Sequence, residues 1–137
     1  MIKEITAQEL NPEHFINEKI KDIQDTVGDG LAINALSGGV DSSTVTMLGH
    51  RALGKSLQTV FVENGLMREG EAEQVVGLFQ KFGVEVDVVD ARQEFFAALD
   101  GVADPEDKRE AITQTFYRTV FGRMVKESGA KYLLQGT

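Results

Sequence analysis

The sequence predicts an α/β fold, a doubly wound parallel sheet with helices on both faces, and three observations predict it. Short apolar runs rich in β-favouring residues alternate with longer stretches whose apolar residues recur every three or four positions. The helical stretches are long enough to act as crossovers, which parallel strands require and hairpins do not. The chain has 137 residues, 42% hydrophobic and 26% charged, which suits a single buried core. Residues 1–137 are therefore read as one domain, without internal repeat, low-complexity tract or linker.

Residues 11–27 carry Phe15, Ile16, Ile20, Ile23 and Val27 at helical spacing, with Asn11 as N-cap and Pro12 at the first helical position. Gly28, Asp29 and Gly30 stop this helix, and residues 31–36 (LAINAL) form an apolar run suited to a buried strand. Residues 41–53 read as a second helix closed by Gly54. The second strand is 57–62 (LQTVFV), followed by the turn signal Asn64-Gly65. A helix over 69–82 follows from Ala72, Val75, Val76 and Phe79, with Gly83 as its C-cap. Residues 84–89 alternate weakly and make a third strand. A short helix over 93–99 and a turn over 101–105 precede a long continuous helix over 106–126, opened by Asp104 as N-cap and Pro105. Residues 131–135 (KYLLQ) are the fourth strand. Only Gly136 and Thr137 follow it, so the fold is expected to be cut off at its C-terminal end.

The net charge of −8 works against binding a phosphate backbone, so nucleic acid is not an expected partner. Arg118, Arg123, Lys126 and Lys131 form a locally basic stretch that a solvated helix face explains. The absence of cysteine excludes disulfides and thiolate chemistry, including cysteine-dependent glutamine hydrolysis; ammonia, if used, must come from another chain. No apolar run approaches the roughly 18 residues of a membrane helix, and the opening MIKEITAQEL lacks the apolar centre of a signal peptide. The expectation is a cytoplasmic protein with no membrane partner.

The strongest chemical signal is Ser37-Gly38-Gly39-Val40-Asp41-Ser42-Ser43, between the first predicted strand and the helix after it. At the carboxyl end of a parallel strand, a helix start offers unpaired amide groups and the positive end of its dipole, which together suit an anion. Gly38 and Gly39 allow close backbone approach, while Ser37, Ser42 and Ser43 supply hydroxyl donors for successive phosphate oxygens. A carboxylate beside a polyphosphate is repelled unless a cation lies between, so Asp41 is read as a Mg²⁺ ligand. The bland alternative is that Asp41 and the serines only cap a helix after a glycine-rich turn.

A second match is refused. Gly49-His50-Arg51-Ala52-Leu53-Gly54-Lys55-Ser56 spells the phosphate-loop pattern G-x-x-x-x-G-K-[ST], but it closes a helix and leads into a strand, the reverse of the required context. Lys55 is then a last-turn cation favourable to the helix dipole. His14 and His50 fit no catalytic pattern and are read as surface or packing residues.

The strand, S-G-G-V-D-S-S and helix together resemble the N-type ATP pyrophosphatases. Further blocks extend the likeness: Phe61-Val62-Glu63-Asn64-Gly65-Leu66-Met67-Arg68, Glu71-Ala72-Glu73-Gln74-Val75, Asp104-Pro105-Glu106 with Lys108-Arg109, and Gln135-Gly136-Thr137. In order and spacing these resemble the synthetase domain of the GMP synthases over about residues 12–137. The resemblance implies an adenine nucleotide α-hydrolase-like, Rossmann-like fold that binds ATP and Mg²⁺. It implies that Ser37, Gly38, Gly39, Val40, Asp41, Ser42 and Ser43 hold pyrophosphate and metal, and that the backbone near Val62 faces adenine. It also implies a mobile lid over about residues 92–113, from which Lys108 and Arg109 reach phosphate, with Arg68 as a further ligand contact; for these three the alternative is a solvated helix-start charge.

The implied chemistry is attack of the XMP O2 oxygen on the α phosphorus of ATP, loss of pyrophosphate, and displacement of AMP by ammonia to give GMP. The implied partners are XMP as acceptor, a separate glutamine amidotransferase subunit as ammonia source, and a homodimer formed through segments not in this chain. Neither a glutaminase nor a dimerisation domain is read in residues 1–137, and catalysis by this chain alone is not expected. Two departures stand out: Glu63 where the family usually has Asp, and Ala111-Ile112-Thr113 in place of a more usual Ile-Ile-Gly. They keep open a related pyrophosphatase acting on another acceptor, and the abrupt end after Thr137 keeps open a non-catalytic ATP-binding module.

Overall fold

Asn11 and Pro12 open the first helix as expected. In the computed structural model, which describes residues 4–136, the His14 amide donates to Asn11 Oδ1 at 3.1 Å and α1 runs Pro12–Val27. Strand β1 (Ala32–Ala35) follows, then α2 (Val40–Leu53) and a single 3₁₀ turn (Gly54–Ser56). Next come β2 (Leu57–Glu63), α3 (Glu71–Lys81), β3 (Val86–Asp90) and α4 (Arg92–Leu99). The Asp104 carboxylate accepts from the amides of Glu106 and Asp107, and α5 (Pro105–Gln114) starts there.

The continuous helix expected over 106–126 is not continuous. After α5 the backbone widens into a π-helical segment, Thr115–Phe121, before α6 (Gly122–Ser128) and a two-residue strand β4 (Tyr132–Leu133). The third strand also begins two residues later than expected and ends one later, and α3 starts at Glu71, where the Glu71 carboxylate accepts from the Arg68 amide at 3.1 Å. Thr137, the last letter of the Gln135-Gly136-Thr137 block, lies outside the described residues, as do residues 1–3.

All four strands are parallel, in the order β3-β2-β1-β4, with β1 paired to both β2 and β4. Alternation along β2 divides the core. Phe61 faces Leu36, Ala72, Phe79 and Val84 beneath α2 and α3, whereas Val60 and Val62 face Ile33, Phe95, Val120 and Phe121 beneath α4 and the π segment. The Val, Leu, Ile and Phe side chains among these, 5% exposed or less, each contribute about 1.5–3 kcal/mol relative to an exposed one. Helices thus cover both faces, which is the doubly wound arrangement predicted. α1 packs on α2 rather than on the sheet; Gln24 Nε2 donates to the Ala52 carbonyl at 3.2 Å. Among the described residues no helix is long and apolar enough to cross a membrane.

Candidate functional site

The chain adds β2 and then β3 on one side of β1, and returns past β1 to lay β4 on the other. The order of strands thus reverses beside β1, and the crevice at the carboxyl ends of β1 and β4 is where open parallel sheets bind ligands. A cavity of about 360 Å³ occupies that place. Ser37 and Ser42 line one part of it; Val62 and Asn64 from the end of β2, the π-segment residues Phe116, Tyr117 and Phe121, and Gln135 and Gly136 beyond β4 are among those that line the rest.

The polar end is built by the loop after β1. Gly38 sits at φ +86°, a left-handed conformation that side-chain-bearing residues rarely adopt. Gly39 then enters α2 in extended conformation (φ −78°, ψ 168°), and the Ser43 amide donates to its carbonyl at 3.0 Å. No side chain caps this helix. The amides of Val40, Asp41 and Ser42 in its first turn have no side-chain acceptor, while the Gly39 amide donates to Ser37 Oγ at 3.4 Å. The serines knit the loop instead: the Ser37 amide donates to Ser42 Oγ at 3.1 Å, the two hydroxyls lie 2.9 Å apart, and Ser42 Oγ donates to the Gly39 carbonyl at 3.3 Å.

Of the residues singled out in the sequence, Ser37, Ser42 and Val62 line the cavity. Gly38, Gly39 and Val40 continue from Ser37, exposed, into the helix; Val40 is 82% exposed despite its apolar side chain. Asp41 opens on an adjoining groove between α1, α2 and β4 that shares Gln135 and Gly136 with the cavity. Ser43 faces Ile16 of α1 across a shallow groove. Arg68, Lys108 and Arg109 do not line the cavity, and Arg109 is paired with Glu106 at 3.1 Å in solvent. The Gly49 to Ser56 match ends at the amino end of β2, across the sheet from the cavity, in keeping with its rejection.

Among the described residues no group of three or more His, Cys, Asp or Glu side chains could hold a metal by itself. Mg²⁺ binds through one or two carboxylates with substrate phosphates and water, and the single exposed carboxylate of Asp41 beside the uncapped helix start fits that donor set. The Glu63 carboxylate turns back on its own chain, accepting from the Gly65 amide at 2.9 Å. Among the described residues the strongly displaced titration is that of Asp90 at the end of β3: hydrogen bonds from the Arg92 guanidinium, then from the Arg92 amide, lower its pKa from 3.8 to about 2.

Sequence reasoning missed Asn64, Phe116, Tyr117 and Phe121 as cavity residues, and assigned no role to Gln135 or Gly136. Asn64 lies two residues past the predicted end of the second strand and Gln135 is the last residue of the predicted fourth, so both fall at carboxyl ends of strands, a signal that was available. The aromatic residues had none, because a π turn places them.

A family model described as NAD synthase matches residues 11–127. The chain is 54% identical over 126 residues to one subunit of the glutamine-hydrolyzing GMP synthase of Pyrococcus furiosus, covering 91% of this chain and 40% of that protein. It is 51% identical over 128 residues to the corresponding GMP synthase subunit of Archaeoglobus fulgidus, covering 93% and 41%. To the glutamine-hydrolyzing GMP synthase of Petrotoga mobilis it is 47% identical over 124 residues, covering 90% and 24%. The resemblance read from the sequence blocks is thereby borne out, and the chain spans about two fifths of the length of these archaeal relatives. Among solved structures, an NH3-dependent NAD synthetase from Campylobacter jejuni, in complex with a nitrate ion, superposes with a TM-score of 0.76 at 13% identity. That superposition covers 93% of this chain and 57% of the other, and bears out the fold.

Proposed function

This chain belongs to the NAD synthase family, and we propose that it supplies the ATP-cleaving part of a GMP-synthase-type ligase that adenylates XMP for amination. The observation that carries the reading is the character of one crevice. At the switch between β1 and β4, an uncapped helix start and two serine hydroxyls meet a cavity whose farther wall is apolar and aromatic. A polyanion with a flat apolar base attached needs those two environments side by side.

In the proposed reaction the O2 oxygen of XMP bonds to the α phosphorus of ATP as the bond to the bridging pyrophosphate oxygen breaks. The amides of Val40, Asp41 and Ser42, with the Ser37 and Ser42 hydroxyls, take up the charge gathering on the departing pyrophosphate. They are already aimed by the fold, so little reorganisation accompanies the step. Asp41 would hold Mg²⁺, which when bound neutralises phosphate charge. Val62, buried at the end of β2, forms the adenine side of the pocket. Ammonia then displaces AMP. On this reading the ammonia comes from a separate glutamine amidotransferase, which the archaeal relatives support by being named as one subunit of a glutamine-hydrolyzing enzyme.

The test has two parts. Calorimetry with the 137-residue chain should detect Mg²⁺-dependent binding of ATP and of pyrophosphate. Pyrophosphate release by a form extended to the relatives' full length, with ammonium present, should be stimulated by XMP more than by any other acceptor in a panel. A different preferred acceptor would remove GMP synthesis from the reading, and absence of nucleotide binding would remove the ATP site.

A further inference from the structure

The helix that carries the phosphate loop is attached to the sheet in an unusual way. Its fully buried positions are a threonine and a glycine, Thr46 and Gly49. Val45, Met47 and Leu48 are only half-buried. In place of a broad apolar stripe, a chain of hydrogen bonds runs from the second strand to the helix start. Thr59 Oγ1 on β2 donates to Asn34 Oδ1 on β1 at 2.8 Å; Asn34 Nδ2 donates to Thr46 Oγ1 at 2.7 Å; Thr46 Oγ1 donates to the Ser42 carbonyl at 2.7 Å. Asn34 and Thr59 are register partners across the β1–β2 ladder, which places them side by side under α2. The three side chains are at most 2% exposed, and no buried side-chain polar atom among the described residues lacks a partner.

We propose that Thr59, Asn34 and Thr46 are positioning residues for the phosphate loop, locking α2 in rotation and height on the sheet so that its first-turn amides and the Ser42 hydroxyl face the anion. This rests on the functional reading above. Apolar contact is non-directional and lets a helix slide or turn on a sheet, whereas a hydrogen bond weakens steeply as its distance lengthens or its angle closes. The chain ends on Ser42, whose own hydroxyl contacts the Ser37 amide and hydroxyl, so a shift of α2 is passed directly into the loop. Stability alone gives no reason for the trio: an apolar trio of similar shape folds as well or better, since it has no polar groups to desolvate.

That difference supplies the test. Thr46→Val keeps the volume and removes the hydroxyl, Thr46→Ser keeps the hydroxyl, and the triple variant Asn34→Val/Thr46→Val/Thr59→Val removes the whole network. In the 137-residue chain the triple variant should melt at or above the wild-type temperature, yet bind pyrophosphate at least about tenfold more weakly, the loss expected when donors no longer aim at a charged ligand. Its Ser37 and Ser42 amide NMR signals should shift without ligand, and Thr46→Ser should retain wild-type binding and spectrum. Wild-type affinity and unmoved Ser37 and Ser42 signals in the triple variant would overturn the proposal. Should that variant not fold, equal behaviour of Thr46→Val and Thr46→Ser would do the same. If the wild-type chain binds no pyrophosphate the functional reading fails, while the ligand-free amide signals still decide the positioning role.

Discussion

Gly136 lies so close to the first turn of α2 that a Cβ on it would stand 2.9 Å from the Asp41 carbonyl oxygen and 2.6 Å from a methyl of Val45. The loop beyond β4 is thus seated on the very turn whose amides face the candidate anion. A methyl group there must displace backbone, not the tip of a flexible side chain. Gly136→Ala is expected to cost about 1–3 kcal/mol of stability and to weaken pyrophosphate binding, because relief of the clash moves α2. Thermal unfolding and calorimetry on the same variant check both; no change in either would show that the loop can lift away freely.

What was legible in the sequence is what short-range chemistry determines. Asn11-Pro12 and Asp104-Pro105 start helices wherever they stand, and each does so here through the carboxamide or carboxylate bonds that the pairing implies. The loop of residues 37–43 is recognisable because its glycines and serines act on their immediate neighbours. The cavity is another matter. Gln135 is brought beside Ser37 only because β4 pairs with β1, and nothing in KYLLQ encodes that neighbour. The π segment is hidden for a related reason. In an α-helix residues five apart diverge by about 140°, so Phe116 and Phe121 read as facing different ways. In the π turn, where the Gly122 amide bonds the Tyr117 carbonyl, the wider winding takes more residues per turn and brings residues five apart closer to one face. The two rings then stack at 5.7 Å with 9° between their planes, and both reach the cavity. Tertiary packing selects that winding.

The Asp90–Arg92 pair predicts a pH effect with a definite sign. Arg92 lowers the Asp90 carboxyl from 3.8 to about 2 in the folded chain, so the carboxylate is favoured by folding. Its contribution is complete above the ordinary carboxylate range and is lost as pH falls through about 2. Both side chains are more than half exposed, which keeps that contribution small. NMR titration of the Asp90 carboxyl should show the depressed value in the wild type and a return toward 3.8 in Arg92→Ala. A titration that does not respond to loss of the guanidinium would contradict the assigned cause.

Lys108 and Arg109 occupy exposed turns of α5, away from the cavity, and the ion pair of Arg109 with Glu106 is three-quarters exposed on both sides. Their removal should change the stability of the ligand-free chain by less than about 0.5 kcal/mol. If the segment closes over bound nucleotide as the resemblance implies, the double variant Lys108→Ala/Arg109→Ala should still bind ATP more weakly than the wild type. The unfolding midpoint without ligand and the ATP affinity together separate the two roles. A variant unchanged in both would reduce these side chains to surface charges.

Asp41 offers the sharpest test, because its two possible effects on an anion have opposite signs. It is exposed in the first turn of α2 and caps nothing, so Asp41→Asn should leave the fold and its unfolding midpoint in place. Without metal, the carboxylate only repels a polyphosphate. A unit charge near the surface acts with about 1 kcal/mol or more at contact distance, so the asparagine variant should bind pyrophosphate several-fold more tightly than the wild type. With Mg²⁺ present the order should reverse, since the carboxylate then holds the cation that the phosphates share. In the full-length form, Mg²⁺-dependent pyrophosphate release should be abolished. A crossing of the two calorimetric affinities as Mg²⁺ is added is the expected signature; parallel curves would mean that Asp41 is a bystander at the helix start.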